Sequence, residues 1–223
     1  MDFTLMTSFF EQKTTMEFLR LGTVYVHLIA CCVAIGMVLT SDFALIRELL
    51  RGEKSHLQDT RHMQNLQTTV SNALILLWLT GIALIWMDVS SNGLSYLLNP
   101  KLQVKVAIVM LLTFNGMLLH QWVLPALMKA GSLLRLQFSM RMLALFTGAL
   151  SGVSWFYAAM LGVGRPLAWK YSVVELMAAY PVLIVGGFML MVLLTQWAKY
   201  REEQADTSRV YARIMRNPAL AGR

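Results

Sequence analysis

Five long apolar runs dominate this sequence and constrain its fold more than any other feature. They cover residues 21–46, 67–87, 102–128, 138–163 and 171–197. A helix of about 20 apolar residues is long enough to cross the hydrocarbon core of a bilayer. Only 14% of the 223 residues are charged, whereas about 25% is usual in soluble proteins. We therefore predict an all-α integral membrane protein, a bundle of five transmembrane helices.

The remaining segments predict three parts in the chain. Residues 1–20 contain several large apolar side chains, and we expect either a segment that lies on the membrane surface or a loosely ordered tail. Residues 21–198 form the transmembrane domain, because no stretch rich in Pro, Gly or Ser divides them. Residues 199–223 are polar and basic, and we expect them to form a cytoplasmic tail.

The basic residues are distributed unequally between the two sides of the predicted bundle. Thirteen of the 19 Lys and Arg residues lie on one side, in or beside the loop after the first run, the loop after the third run and the C-terminal tail. Cytoplasmic loops of membrane proteins carry an excess of Lys and Arg. This bias predicts that the amino terminus lies outside and the carboxyl terminus in the cytoplasm.

The net charge of +7 does not indicate a nucleic-acid partner, because the basic residues lie beside apolar runs, where lipid contact explains them. The sequence has no phosphate-binding loop, dinucleotide fingerprint, zinc signature or nucleophile elbow. We expect the lipid bilayer, other membrane subunits or a second copy of this chain as partners. The adjacent Cys31 and Cys32 are expected to be small apolar fillers.

Several ionisable side chains fall inside the apolar runs, where each must face protein, water or a bound group. With a rise of ~1.5 Å per residue, they divide into two layers. The outer layer contains His27, Lys105 and Glu175. The inner layer, near the predicted cytoplasmic ends, contains Asp42 and His120. These five residues are the candidates for a functional site.

Two histidines on membrane helices suggest a b-type haem, for which histidine is a common axial ligand. His27 and His120 are therefore candidate cofactor and metal ligands. Their depths differ by roughly 15 Å, too far for both to bind one iron. Separate haems, each with one of these histidines, remain open. The version that we prefer has His27 as a single ligand, with Lys105 or Glu175 meeting the propionates or a substrate.

The same residues allow other interpretations. Polar side chains in membrane helices often serve only to hydrogen-bond neighbouring helices, and Lys105 and Glu175 could pair with each other. Asp42, His120 and Glu175 could instead form a path for protons or ions, because all three titrate. The chain would then be a small transporter or channel subunit.

Three short motifs resemble parts of known bacterial membrane families. They are VYVHLIA around His27, TGIALIW at residues 80–86, and PKLQVK at residues 100–105. Over about half of the chain, residues 23–120, they resemble the CopD-type copper-resistance membrane proteins and the HemJ-type protoporphyrinogen oxidases. The resemblance implies a polytopic protein that handles a metal or a tetrapyrrole. It also implies roles for His27 and for Lys101 or Lys105.

Together these observations predict a multi-pass protein of the bacterial inner membrane. The favoured function is membrane-embedded electron transfer or tetrapyrrole handling, with haem b as the expected cofactor and a membrane oxidoreductase as a possible activity. The alternatives are a small proton, ion or solute transporter subunit and a non-catalytic accessory subunit of a membrane complex.

Overall fold

The computed structural model describes residues 3–51, 60–164 and 169–216, and every regular element in these ranges is helical. The α-helices are α1 (Phe3–Arg51), α2 (Thr60–Asn92), α3 (Pro100–Leu118), α4 (Leu124–Ala130), α5 (Phe138–Val163), α6 (Val173–Met177) and α7 (Ala179–Arg216). Short 3₁₀ turns precede α3 and α5, and a π-helical turn, Leu119–Val123, joins α3 to α4.

Five helical stretches in the described part of the chain are long and apolar enough to cross a membrane. They are Thr14–Arg47, Gln64–Asn92, Pro100–Ala130, Phe138–Val163 and Val173–Arg209. The prediction of a five-helix membrane bundle is therefore confirmed. Below, the side on which the first span begins is called the amino-terminal face, and the side on which the fifth span ends is called the carboxyl-terminal face.

The first and last helices extend well beyond their spans. Helix α1 continues without a break from the predicted surface segment into the first span and on to Arg51. Helix α7 continues to Arg216, so most of the predicted tail is helical. The side chains of residues 1–13 and the chain after Arg216 lie outside the described residues.

The third span is built from three pieces, and proline explains why. Pro125 has no N–H to offer the carbonyl of Gln121, so a regular α-helix cannot pass through this point unchanged. The chain widens into the π-helical turn, in which the N–H of Leu124 donates to the carbonyl of Leu119. His120 lies within this turn. π-Helical turns inside α-helices often occur at functional sites.

The fifth span is interrupted at Ala178, between α6 and α7. Pro181 follows three residues later and removes the N–H that would otherwise bond the carbonyl of Met177. Helix α6 begins with a capping box, in which Ser172 and Glu175 bond each other's backbone N–H groups. The interruption therefore has a clear local cause.

The bundle packs mainly through three helix pairs, α1 with α2, α3 with α5, and α5 with α7. Between the two faces lies a buried apolar cluster to which four helices contribute. Its members are Ala30, Ala34, Ala73, Leu77, Leu112 and Trp155. Many large apolar side chains elsewhere point outward and are exposed, as expected where the surrounding solvent is lipid.

The first and fifth spans are joined at the carboxyl-terminal face by Arg201 of α7. Its guanidinium donates hydrogen bonds to the carbonyls of Leu49 and Leu50, at the end of α1. The same guanidinium lies over the ring of Trp197, 4.9 Å from its centroid. Leu49 itself is buried in an apolar cluster with Ala198.

The cap of α3 yields a test of how the third span begins. Asn99 is buried, and its side-chain oxygen accepts a hydrogen bond from the N–H of Lys101 at 3.1 Å. Asn99→Ala should lower the free energy of unfolding by about 1 kcal/mol, because the cap is lost. Denaturation in detergent micelles, followed by circular dichroism, measures this. The control Asn92→Ala, at an exposed side chain, should change it by less than about 0.5 kcal/mol. Equal losses in both variants would contradict the capping role.

Candidate ligand sites between the helices

His27 lies on α1 and faces α2, where its Nδ1 is 2.7 Å from the hydroxyl oxygen of Thr80. The Thr80 hydroxyl donates its single proton to the carbonyl of Leu76, at 2.7 Å. While the Thr80 hydroxyl keeps this bond it can only accept from His27, and this arrangement places the histidine proton on Nδ1. The lone pair of His27 is then on Nε2, which makes no hydrogen bond with any described residue.

Lys105 comes from α3 into the same neighbourhood. Its ammonium group is close enough to His27 and Cys31 to interact electrostatically with both. The side chain is partly buried and lies beside Gly162 of α5, where a Cβ would be at an ordinary contact distance of 3.6 Å from Lys105 Nζ. Among the described residues, none forms an ion pair or hydrogen bond with Lys105.

Glu175 does not join this group. Its Oε2 accepts hydrogen bonds from the Ser172 N–H at 2.7 Å and from the Ser172 hydroxyl at 2.9 Å. The side chain is exposed and completes the cap of α6. The predicted pairing of Lys105 with Glu175 is not formed in the described structure.

A second site is a cavity of about 1200 Å³ that all five spans line. It is larger than most sites for small molecules, which have volumes of roughly 300–1,000 Å³. Asp42 and His120 are both in its lining, whereas His27, Lys105 and Glu175 are not. The structure therefore brings together the two residues of the predicted inner layer, while the outer layer contributes only the pair of His27 and Lys105.

His120 lies in a different site from His27. Its Nε2 is 3.3 Å from the hydroxyl of Ser71, on the same helix that carries Thr80. Ser71 and Thr80 are nine residues apart on continuous α2, which corresponds to ~13 Å along the helix axis. The two imidazoles cannot ligate one iron at this separation. In the described part of the chain, no cluster of three or more His, Cys, Asp or Glu side chains could hold a metal ion.

Thr80 could not be identified from the sequence, because its pairing with His27 depends on how α1 packs on α2. Gly152 and Gly162 of α5 lie next to Asp42 and Lys105. Gly148 and Gly152 have small-xxx-small spacing, which indicates close helix packing but not the neighbour. Gly162 has no signal beyond its small size inside an apolar run.

Comparison of the chain with models of known protein families, with curated proteins and with solved structures gave no match. The resemblance to the CopD-type and HemJ-type families thus stays a prediction. Function is inferred below from the residues of the two sites.

An ion pair joins the first two helices at the amino-terminal face. Asp88 of α2 forms an ion pair with Arg20 of α1, with a distance of 3.0 Å between Oδ1 and Nη2. Asp88 also hydrogen-bonds Tyr96, in the 3₁₀ turn outside the spans. Burial, and then the hydrogen bond to Asp88 and its charge, raise the pKa of Tyr96 to about 12.

Because folding raises the pKa of Tyr96, its contribution to stability is fully present below the ordinary pKa of about 10. That contribution should be lost as the pH rises from about 10 to about 12. Phenolate absorbance, taken as the difference between the wild type and Tyr96→Phe, follows the titration. Asp88→Asn should shift it to lower pH, since both effects of Asp88 raise the pKa. An unshifted curve in Asp88→Asn would contradict the contact.

Proposed function

We propose that this protein binds a tetrapyrrole inside the membrane, with haem b as the first candidate. The single observation that carries the proposal is the state of His27. Its Nδ1 is engaged by Thr80 and its Nε2 lone pair is left available. Histidines that bind iron through one ring nitrogen typically donate the other N–H to a neighbouring acceptor, which fixes the tautomer and the ring orientation.

Lys105 supports the same ligand class. A lysine ammonium inside a span is unfavourable without an anionic partner, and no described residue supplies one. A tetrapyrrole brings carboxylates of its own, and a propionate placed beside His27 would meet Lys105. We therefore assign iron ligation to His27, orientation of its ring to Thr80, and carboxylate binding to Lys105. When bound, haem supplies one-electron redox chemistry, which would make the protein a membrane oxidoreductase or an electron carrier.

Three variants and two pigments separate these roles. We expect the purified wild type, supplied with haem, to show a Soret band, and His27→Ala to lose it. His27→Ala should still bind iron-free protoporphyrin, because Lys105 remains, whereas Lys105→Gln should weaken the binding of both pigments. Thr80→Val should weaken haem binding roughly 10- to 100-fold, the usual effect of removing such a supporting contact. Titration by visible absorption measures each affinity.

The matched control is His120→Ala, which removes the other span histidine from a different site and should leave the Soret band intact. Loss of the band in His120→Ala but not in His27→Ala would contradict the assignment. A wild type that binds neither haem nor protoporphyrin would overturn the proposed function.

We also propose that the protein lies in the bacterial inner membrane with its carboxyl-terminal face in the cytoplasm, as the excess of Lys and Arg on that face indicates. Single cysteines at two exposed positions, Ser95→Cys and Ser208→Cys, test this in a variant without Cys31 and Cys32. In spheroplasts whose membrane is intact, a membrane-impermeant thiol reagent should label Ser95→Cys. It should label Ser208→Cys only after the membrane is permeabilised. The reverse pattern would contradict the orientation.

A further inference from the structure

The cavity lined by Asp42 and His120 is large, apolar and distinct from the His27 site. Most of its lining is aliphatic or aromatic, including Trp155 and Phe156 of α5. Other large apolar residues of the lining, Ile75, Met117 and Leu190, are exposed. The cavity is therefore open to the surroundings of the bundle, so a molecule dissolved in the membrane can reach it.

The lining of the cavity contains a carboxylate but no Lys or Arg among the described residues. That carboxylate is Asp42, the single one in the described lining. Asp42 makes no hydrogen bond or ion pair with any described residue. Gly152 of α5 lies next to it, since a Cβ there would be in contact with Asp42 Oδ2 at 3.4 Å. A carboxylate inside a membrane span is costly without a positively charged or hydrogen-bonding partner.

We propose that this cavity binds a lipophilic cation, a membrane-soluble molecule that carries one positive charge among apolar groups. Asp42 supplies the opposite charge, and two aromatic side chains of the lining, Trp155 and Phe156, can add cation–π attraction. The volume of about 1200 Å³ accommodates a ligand with several rings. The inference depends on neither the tetrapyrrole nor the orientation proposed above.

Two ions of nearly equal size and opposite charge test the proposal: tetraphenylphosphonium and tetraphenylborate. Equilibrium dialysis against the full chain in phosphatidylcholine nanodiscs measures saturable binding, with empty nanodiscs as the blank for partition into lipid. The wild type should bind the phosphonium more tightly than the borate. Asp42→Asn should weaken phosphonium binding roughly tenfold or more, because the attraction between opposite charges is lost. Asp88→Asn, at a carboxylate outside the cavity, should leave it unchanged.

A second pair of variants tests whether the ion binds inside the cavity. Gly148 lines the cavity, and a Cβ there meets no atom within 4 Å, so Gly148→Leu places its side chain in the cavity without a clash at the Cβ. It should weaken the binding of any occupant. Gly186 has the same free space but is exposed and not part of the lining, so Gly186→Leu is the matched control and should bind like the wild type.

The proposal is overturned if the wild type shows no saturable phosphonium binding, or binds both ions equally. It is also overturned if Asp42→Asn keeps the preference for the cation while Gly148→Leu lowers binding, because the cavity would then bind the ion without using the charge of Asp42. His27→Ala should bind tetraphenylphosphonium like the wild type. Failure of the tetrapyrrole experiment and failure of this one are therefore distinguishable.

Discussion

Inside the hydrocarbon no water is available to a polar side chain, and this constraint governs the arrangement of the bundle. Thr80 shows how it is met, since one hydroxyl accepts from His27 and donates to its own helix. Asn115 meets it only in part between α3 and α5, because its amide donates to the carbonyl of Thr147 at 2.9 Å while its side-chain oxygen is buried with no partner among the described residues. Lys105 and Asp42 stand out, because each carries a charge that no described residue balances and each lies in a candidate ligand site.

The five spans were predictable because length and apolar content are local properties of the sequence. The interruption near Pro181 was also predictable, because a proline removes one known hydrogen bond. The π-helical turn around His120 was not, since Pro125 permits a kink, a break or a widened turn. The packing of neighbouring helices selects among these three conformations, and that packing cannot be inferred from the sequence of a single segment.

The candidate sites were predictable only in part, for the same reason. Depth along a helix follows from residue number, and it placed His27 with Lys105 and Asp42 with His120. Direction around the helix axis does not follow from a run that is apolar on all sides. Glu175 was therefore assigned to the site by its depth, although it faces Ser172 and caps α6. Thr80 was passed over, although its hydroxyl lies 2.7 Å from Nδ1 of His27.

The contact of Arg201 with the carbonyls of Leu49 and Leu50 has a consequence for how the chain is made. Arg201 emerges from the ribosome 151 positions after Leu50. Until it does, only solvent can hydrate the carbonyls at the end of the first helix. The last helix thus fixes the end of the first. A nascent chain released before the last helix is translated would leave the carbonyls of Leu49 and Leu50 without the guanidinium of Arg201.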